Sequence, residues 1–215
     1  MISLSQIYSN RYSKMIKVPQ MVLFGATGRN SGKTTAACDL IRSLAPLREV
    51  WALKVTTADR SEGTVCHRGG EGCGACLFNE PFILAQEDGA NPDKDTSRLL
   101  AAGAKKSYWL RSDRANLADG FKAFLAMVPE GAAIVSESNT LREFVWPGFF
   151  VIVVNNAGPP KPTAQRVIEL ADLIIESDGI ISEDNLAQIR SRATLALAKA
   201  SFKSPSSLLD QAKGL

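Results

Sequence analysis

The sequence predicts an α/β fold of three layers, with helices on both sides of a mostly parallel central sheet and a Cys-rich insertion in one of its connections. Three observations predict it. Short apolar runs alternate with helix-period segments along the chain. The run Met21-Val22-Leu23-Phe24 ends in a Gly-rich turn that opens a helical pattern. A second apolar run, Val50 to Val55, follows that helix and completes a strand–helix–strand unit of the kind that builds parallel sheets.

A chain of 215 residues has room for one sizeable core with an appendage, or for two small domains. Its 25 Lys plus Arg against 22 Asp plus Glu give a formal net charge of +3, too even to suggest a nucleic-acid partner. No apolar run approaches the roughly 20 residues that cross a bilayer, so no membrane partner is expected. Met1 to Lys17 lacks the apolar stretch of a secretory signal. Four cysteines, three of them between Cys66 and Cys76, do not make a secreted disulfide framework, and a cytoplasmic protein is expected.

Residues 1–19 read as a polar lead-in, 20–200 as the domain, and 201–215 as a tail. After the first strand, Ala36, Ala37, Leu40, Ile41 and Leu44 mark a helix from Lys33 that Pro46 stops. The stretch from about residue 56 to 80 has no periodicity and reads as an insertion. Beyond it the pattern predicts a helix from Thr96 to Ala102, a strand Ser107 to Arg111, a helix Arg114 to Val128, and a strand Ala132 to Ser136 with Glu137 at its end. A strand Phe149 to Val154, a helix Thr163 to Ala171 and a short strand Leu173 to Ile175 follow. Ser182 then opens a terminal helix toward Lys199, with Glu183 and Asp184 in the first turn where the helix dipole favours them.

The chemistry is concentrated in Gly25-Ala26-Thr27-Gly28-Arg29-Asn30-Ser31-Gly32-Lys33-Thr34-Thr35. A strand before it and a helix after it are the setting a phosphate-binding loop requires. Glycines let backbone N–H groups turn toward a phosphate, the helix N-terminus adds a positive dipole end, Lys33 adds a full charge, and Thr34 offers a hydroxyl to Mg2+. This predicts a P-loop NTPase fold binding ATP or GTP through Gly28, Arg29, Asn30, Ser31, Gly32, Lys33, Thr34 and Thr35. The usual spacing puts a Gly five positions before Gly32; Thr27 stands there, flanked by Gly25 and Gly28.

A carboxylate at the end of a neighbouring strand should reach the magnesium shell or orient a water, and Glu137 is best placed for it. Lys33 and Glu137 are therefore the candidate catalytic residues, with Thr34 and Glu137 the candidate magnesium ligands. Lys54 and Asp59, near the end of the second strand, face the phosphates or are solvated loop charges.

The second signal is Cys66-His67-Arg68-Gly69-Gly70-Glu71-Gly72-Cys73-Gly74-Ala75-Cys76. The spacing brings three thiolates, Cys66, Cys73 and Cys76, within reach of one soft metal, Zn2+ or an iron–sulfur cluster, with the fourth ligand open. A redox pair at Cys73 and Cys76 is the alternative. Cys38, among Ala and Leu residues, reads as a buried small hydrophobe.

With these residues in view, the chain resembles the molybdopterin-guanine dinucleotide biosynthesis protein B family of P-loop proteins. Asn30-Ser31-Gly32-Lys33-Thr34-Thr35 is similar to the family's phosphate loop, and Lys54 stands where the family has a lysine closing its second strand. Asp95, Ser97 and Ala102-Gly103-Ala104 resemble its Lys-Asp-Ser and Ala-Gly-Ala stretch, and the strand ending in Glu137 resembles one ending in Val-Glu-Gly. The resemblance implies a GTP-binding, weakly hydrolysing homodimer that assists molybdenum cofactor maturation with a nucleotidyltransferase partner. The chain departs from the family at Val55-Thr56-Thr57-Ala58-Asp59, which replaces a His-rich stretch, at Ser138 in place of Gly, and in the added Cys cluster. Asn155-Asn156-Ala157-Gly158 lacks the Lys and Asp of a guanine-recognition motif, which leaves the base open.

The sequence therefore predicts a Mg-dependent P-loop nucleotide-binding protein, an NTPase in metal or molybdenum cofactor assembly, with the Cys cluster holding metal. A small-molecule kinase or ligase with a structural metal clip, and a nucleotide-switched scaffold module, are the alternatives.

Overall fold

The computed structural model describes residues 15–58 and 79–201. Seven strands form one sheet: β1 (Ile16–Ala26), β2 (Val50–Ala58), β3 (Phe82–Gln86), β4 (Lys106–Asp113), β5 (Ala133–Glu137), β6 (Val145–Val154) and β7 (Leu173–Glu176). Their order is β3-β4-β2-β5-β1-β6-β7, parallel except for β3, which pairs antiparallel to β4 at one edge. The helices are α1 (Lys33–Leu44), α2 (Asp95–Ala101), α3 (Leu117–Leu125), α4 (Pro162–Gln165) and α5 (Glu183–Ser201). The protein is thus α/β, with a mostly parallel seven-stranded sheet flanked by helices.

Strand alternation divides the core in two. On β1, Val22 and Phe24 face the layer of α1, α2 and α5, meeting Leu40, Ile41, Leu99, Ile189 and Ala193. Met21 and Leu23 point the other way, toward Phe121 and Phe124 of α3 and Leu141. A strand buried on both faces needs an unbroken apolar run, which explains Met21-Val22-Leu23-Phe24. Cys38 is buried in the first of these layers, and burial pushes its thiol up from the ordinary value.

Several elements differ from the sequence prediction. Strand β1 begins at Ile16 rather than Met21; Pro19 is accommodated at an irregularity of register between Val18 and Val22, where its missing N–H is harmless. Strand β3, Phe82–Gln86, was not predicted, because an edge strand of half-buried residues lacks clean alternation. The helix predicted over Arg114 to Val128 is shorter: Asp113 accepts the Asn116 N–H at 2.9 Å in a turn, so the helix begins only at Leu117. The helix predicted over Thr163 to Ala171 is broken. Val167 leaves the helical path (φ −128°) and buries its side chain fully, leaving one α turn, Pro162–Gln165, and one 3₁₀ turn, Ile168–Leu170. A further 3₁₀ turn, Thr140–Glu143, follows β5. No helix among the described residues is long and apolar enough to cross a membrane.

The connections put a topological switch beside β1. Strand β1 leads through α1 to β2 on one side, whereas β6 leads to β7 on the other, so the connections leave the C-terminal ends of β1 and β6 in opposite directions. The tightest approach lies at the opposite end, where a Cβ on Gly148 would stand 2.0 Å from the Pro19 carbonyl oxygen. Gly148→Ala should therefore cost about 3 kcal/mol by overpacking, whereas Gly131→Ala, with φ +81° but nothing within 4 Å, should cost only about 1 kcal/mol. Urea unfolding of the two variants measures the difference.

Candidate functional site

The site begins where β1 ends. The chain leaves the sheet at Ala26, and the loop 27–32 delivers it to α1. Asn30 (φ 52°) and Gly32 (φ 81°) both take left-handed conformations, which turn the backbone sharply into the helix. Gly32 is the N-cap, so no side chain caps α1, and its first turn holds no acidic residue. The helix thus presents unpaired N–H donors and a positive dipole end toward the loop.

The loop is tied at its base. Thr27 donates its N–H to the Val153 carbonyl at 3.0 Å, its hydroxyl accepts the Asn155 N–H at 2.8 Å, and its carbonyl accepts the Lys161 N–H at 3.0 Å. These bonds give a physical account of Thr27 at a position where the usual spacing has glycine: its hydroxyl joins the loop to the end of β6. At the tip, Gly32 and Gly179 sit close together. A Cβ on Gly32 would meet the Gly179 carbonyl oxygen at 3.1 Å, and one on Gly179 would meet the Asn30 carbonyl oxygen at 3.1 Å.

Glu137 closes β5, which lies between β1 and β2, with Phe24 and Lys54 as its partners in register. Its side chain is 1% exposed and accepts the Lys33 ammonium at 2.8 Å on Oε2. Oε1 is buried with no hydrogen-bond partner among the described residues. Burial pushes this carboxyl up, but the charges of Lys33 and Lys54, with the hydrogen bond from Lys33, outweigh it and hold the group below the usual carboxylate range. Glu137 is ionised at neutral pH.

Lys54 forms an ion pair with Asp95 at the start of α2. Arg98, one turn further on, lies 3.8 Å from Asp95 and donates to the Thr35 hydroxyl at 3.2 Å. The structure therefore brings together Gly28 through Thr35, Lys54 and Glu137 at the C-terminal edge of the sheet. Beside the loop lies an open cavity of about 600 Å³ whose lining includes Asn155, Asn156, Asp178, Ile180 and Asn185.

Cys66, Cys73, Cys76 and Asp59 lie outside the described residues. The segment that carries them leaves β2 after Ala58 and rejoins the sheet at Phe82, and these ends pair with Asp113 and Ser112 of β4. Both ends are thus at the edge where the loop lies. Among the described residues no group of three or more His, Cys, Asp or Glu side chains converges as a metal-ligand set.

Sequence reasoning missed Asn139. Its carboxamide accepts the Ala26 N–H at 2.8 Å and donates to the Ala26 carbonyl at 2.9 Å. No local pattern marked it, because it lies just beyond β5, at the start of the 3₁₀ turn, and its partner Ala26 is 113 residues away in sequence.

Among known proteins no match was found: no family model, curated protein or solved structure matches the chain.

A folded-state pKa held below the unfolded value contributes stability that is present above the unfolded pKa of about 4.3 and lost as the pH falls through the lower folded one. Glu137→Gln should flatten that acid limb, measured as a smaller change in urea midpoint between neutral and acidic pH than the parent shows.

Proposed function

We propose that the protein is a Mg-dependent P-loop nucleotide-binding protein that hydrolyses a nucleoside triphosphate. The observation that carries this reading is the uncapped N-terminus of α1, reached through a left-handed Gly32 and set beside the buried Lys33–Glu137 pair. Backbone donors, a helix dipole and the Lys33 ammonium converge there at a switch point, where ligands of open α/β sheets bind.

The residues suit a triphosphate with its cation. Glu137 Oε1, buried and unpartnered among the described residues, and the Thr34 hydroxyl are hard oxygen donors of the kind magnesium prefers. Thr34 and Glu137 would hold the magnesium, whose chemistry would be to offset negative charge developing on the phosphates. Lys33 would exchange its contact with Glu137 for the phosphates, and Lys54 would add a second positive charge at the same edge. Glu137 would then orient the attacking water or hold the metal shell. Phosphoryl transfer asks little covalent chemistry of the protein, so positioning and charge neutralisation suffice. The adjoining cavity, rich in amide and carboxylate groups, is the space for the rest of the nucleotide.

The Cys-rich segment is assigned from sequence as a Zn2+ or iron–sulfur site on Cys66, Cys73 and Cys76, and its attachment at the edge of the loop supports a role linked to the nucleotide. With the resemblance to molybdenum-cofactor proteins, this supports a reading in which the protein acts in metal or metallocofactor assembly, as a homodimer with a biosynthetic partner.

Two experiments test the reading. Lys33→Ala should weaken Mg-ATP or Mg-GTP binding by about 100-fold, the loss expected when phosphates lose charge-assisted contacts; calorimetry showing unchanged affinity would reject the site. Anaerobically purified protein should contain one equivalent of zinc, or iron with a visible absorption band, and a Cys73→Ser, Cys76→Ser double variant should lose it. Metal-free parent protein would remove the metal assignment.

A further inference from the structure

The end of β5 grips the Gly-rich loop twice. Glu137 holds Lys33, the first residue after the loop, and Asn139 holds Ala26, the last before it. The backbone ladder between β5 and β1 runs one bond past Glu137, from the Ser138 N–H to the Phe24 carbonyl at 2.9 Å. Beyond it the chain turns into the 3₁₀ turn Thr140–Glu143 and can no longer pair. The Asn139 carboxamide takes over, presenting a C=O and an N–H to the Ala26 N–H and C=O as a further strand residue would. The same amide nitrogen donates to the Thr163 hydroxyl at 3.2 Å.

The surroundings leave little freedom for this contact. Ala26 is buried, so its polar backbone groups would be left unpaired without the amide. A Cβ on Gly25 would stand 2.8 Å from Asn139 Oδ1 and 2.9 Å from Ile152 Cγ1, so glycine at this position makes room for the amide. The loop 27–32 is therefore suspended between two side chains two residues apart, one closing β5 and one just beyond it.

We infer that Asn139 is a positioning residue for phosphate binding: its carboxamide fixes Ala26 so that the loop amides are aligned before an anion arrives. The inference rests on the phosphate-binding reading above. It assigns Asn139 no contact with the ligand and predicts an effect on the phosphates rather than on the base.

The test measures affinity for magnesium tripolyphosphate and for Mg-ATP and Mg-GTP by calorimetry, on protein whose fold is checked by circular dichroism. Asn139→Ala should weaken tripolyphosphate and nucleotide by a similar factor, about 10- to 30-fold for two hydrogen bonds lost. Thr163→Val, which keeps both bonds to Ala26, should bind within about twofold of the parent by the same reasoning. Asn139→Asp supplies a second readout. Its carboxylate keeps the acceptor for the Ala26 N–H but opposes the Ala26 carbonyl, so it should weaken tripolyphosphate and both nucleotides by one common factor of about 10-fold or more. A positioning role lowers the affinity at unchanged calorimetric stoichiometry, whereas a merely structural defect lowers the stoichiometry as unfolded protein drops out. That comparison decides the matter on its own if Asn139→Ala does not fold.

Asn139→Ala binding within twofold of the parent while Lys33→Ala has lost binding would overturn the inference, as would Asn139→Asp binding within twofold of the parent, or losing stoichiometry with its affinity unchanged. If Lys33→Ala also binds like the parent, the phosphate-binding reading itself fails and Asn139 falls with it.

Discussion

The contact between Lys33 and Glu137 sets the terms for this end of the molecule. Moving a carboxylate from water to the interior costs several kcal/mol even after relaxation, and only a close, well-oriented partner offsets it. Lys33 supplies that partner from the first turn of α1, and the pairing is possible because β5 is the direct neighbour of β1. A buried ion pair seldom stabilises a protein more than apolar packing of the same volume would. Stability therefore does not account for it. A lysine that is 22% exposed and a carboxylate that is 1% exposed form an asymmetric pair: the cation can leave toward the solvent side while the anion stays. The arrangement suits a site that waits for an anion.

The rest of the charge around the site follows from the same constraint. Lys54 faces Glu137 across β2 and β5 and helps to keep it ionised, yet Asp95 holds it in an ion pair. Arg98 is tied to Asp95 and to the Thr35 hydroxyl. Three cations thus stand at the edge of the sheet against two carboxylates, each cation engaged by a group that an incoming phosphate could displace. A site with loose cations would pay for ordering them when a ligand binds. Here the side chains are already held near their working positions, which lowers that cost.

What the sequence made legible was whatever local patterning carries. The apolar runs of β1, β2, β5 and β6 mark buried parallel strands because their residues face helices on both sides, and the spacing in α1 marks its buried stripe. Glu137 could be picked out because a lone carboxylate ending an apolar strand is conspicuous. Features that depend on tertiary neighbours were hidden. Val167 breaks a helix to reach a core built by distant strands, and Phe82–Gln86 becomes a strand only because β4 offers it an edge. Thr27 looked like a flaw in a glycine pattern, yet its hydroxyl reaches Asn155, 128 residues away. Asn139 carries no motif at all; its role exists only once β5 and β1 are side by side.

Placing the Cys-rich segment in this frame gives it a direction. It departs from β2 four residues after Lys54 and returns into β3 beside the end of β4. Lys54 is part of the charge network around Glu137, and β2 is the strand that carries Lys54 and leads into the segment. Any change in the segment that pulled on Ala58 would act on the strand that orients Lys54, and a change in the charge near Lys54 would act back on it, because coupling between two sites is reciprocal. The strand itself would give the proposed metal and nucleotide a short covalent path on which to influence one another, with no need for a long-range relay through the core.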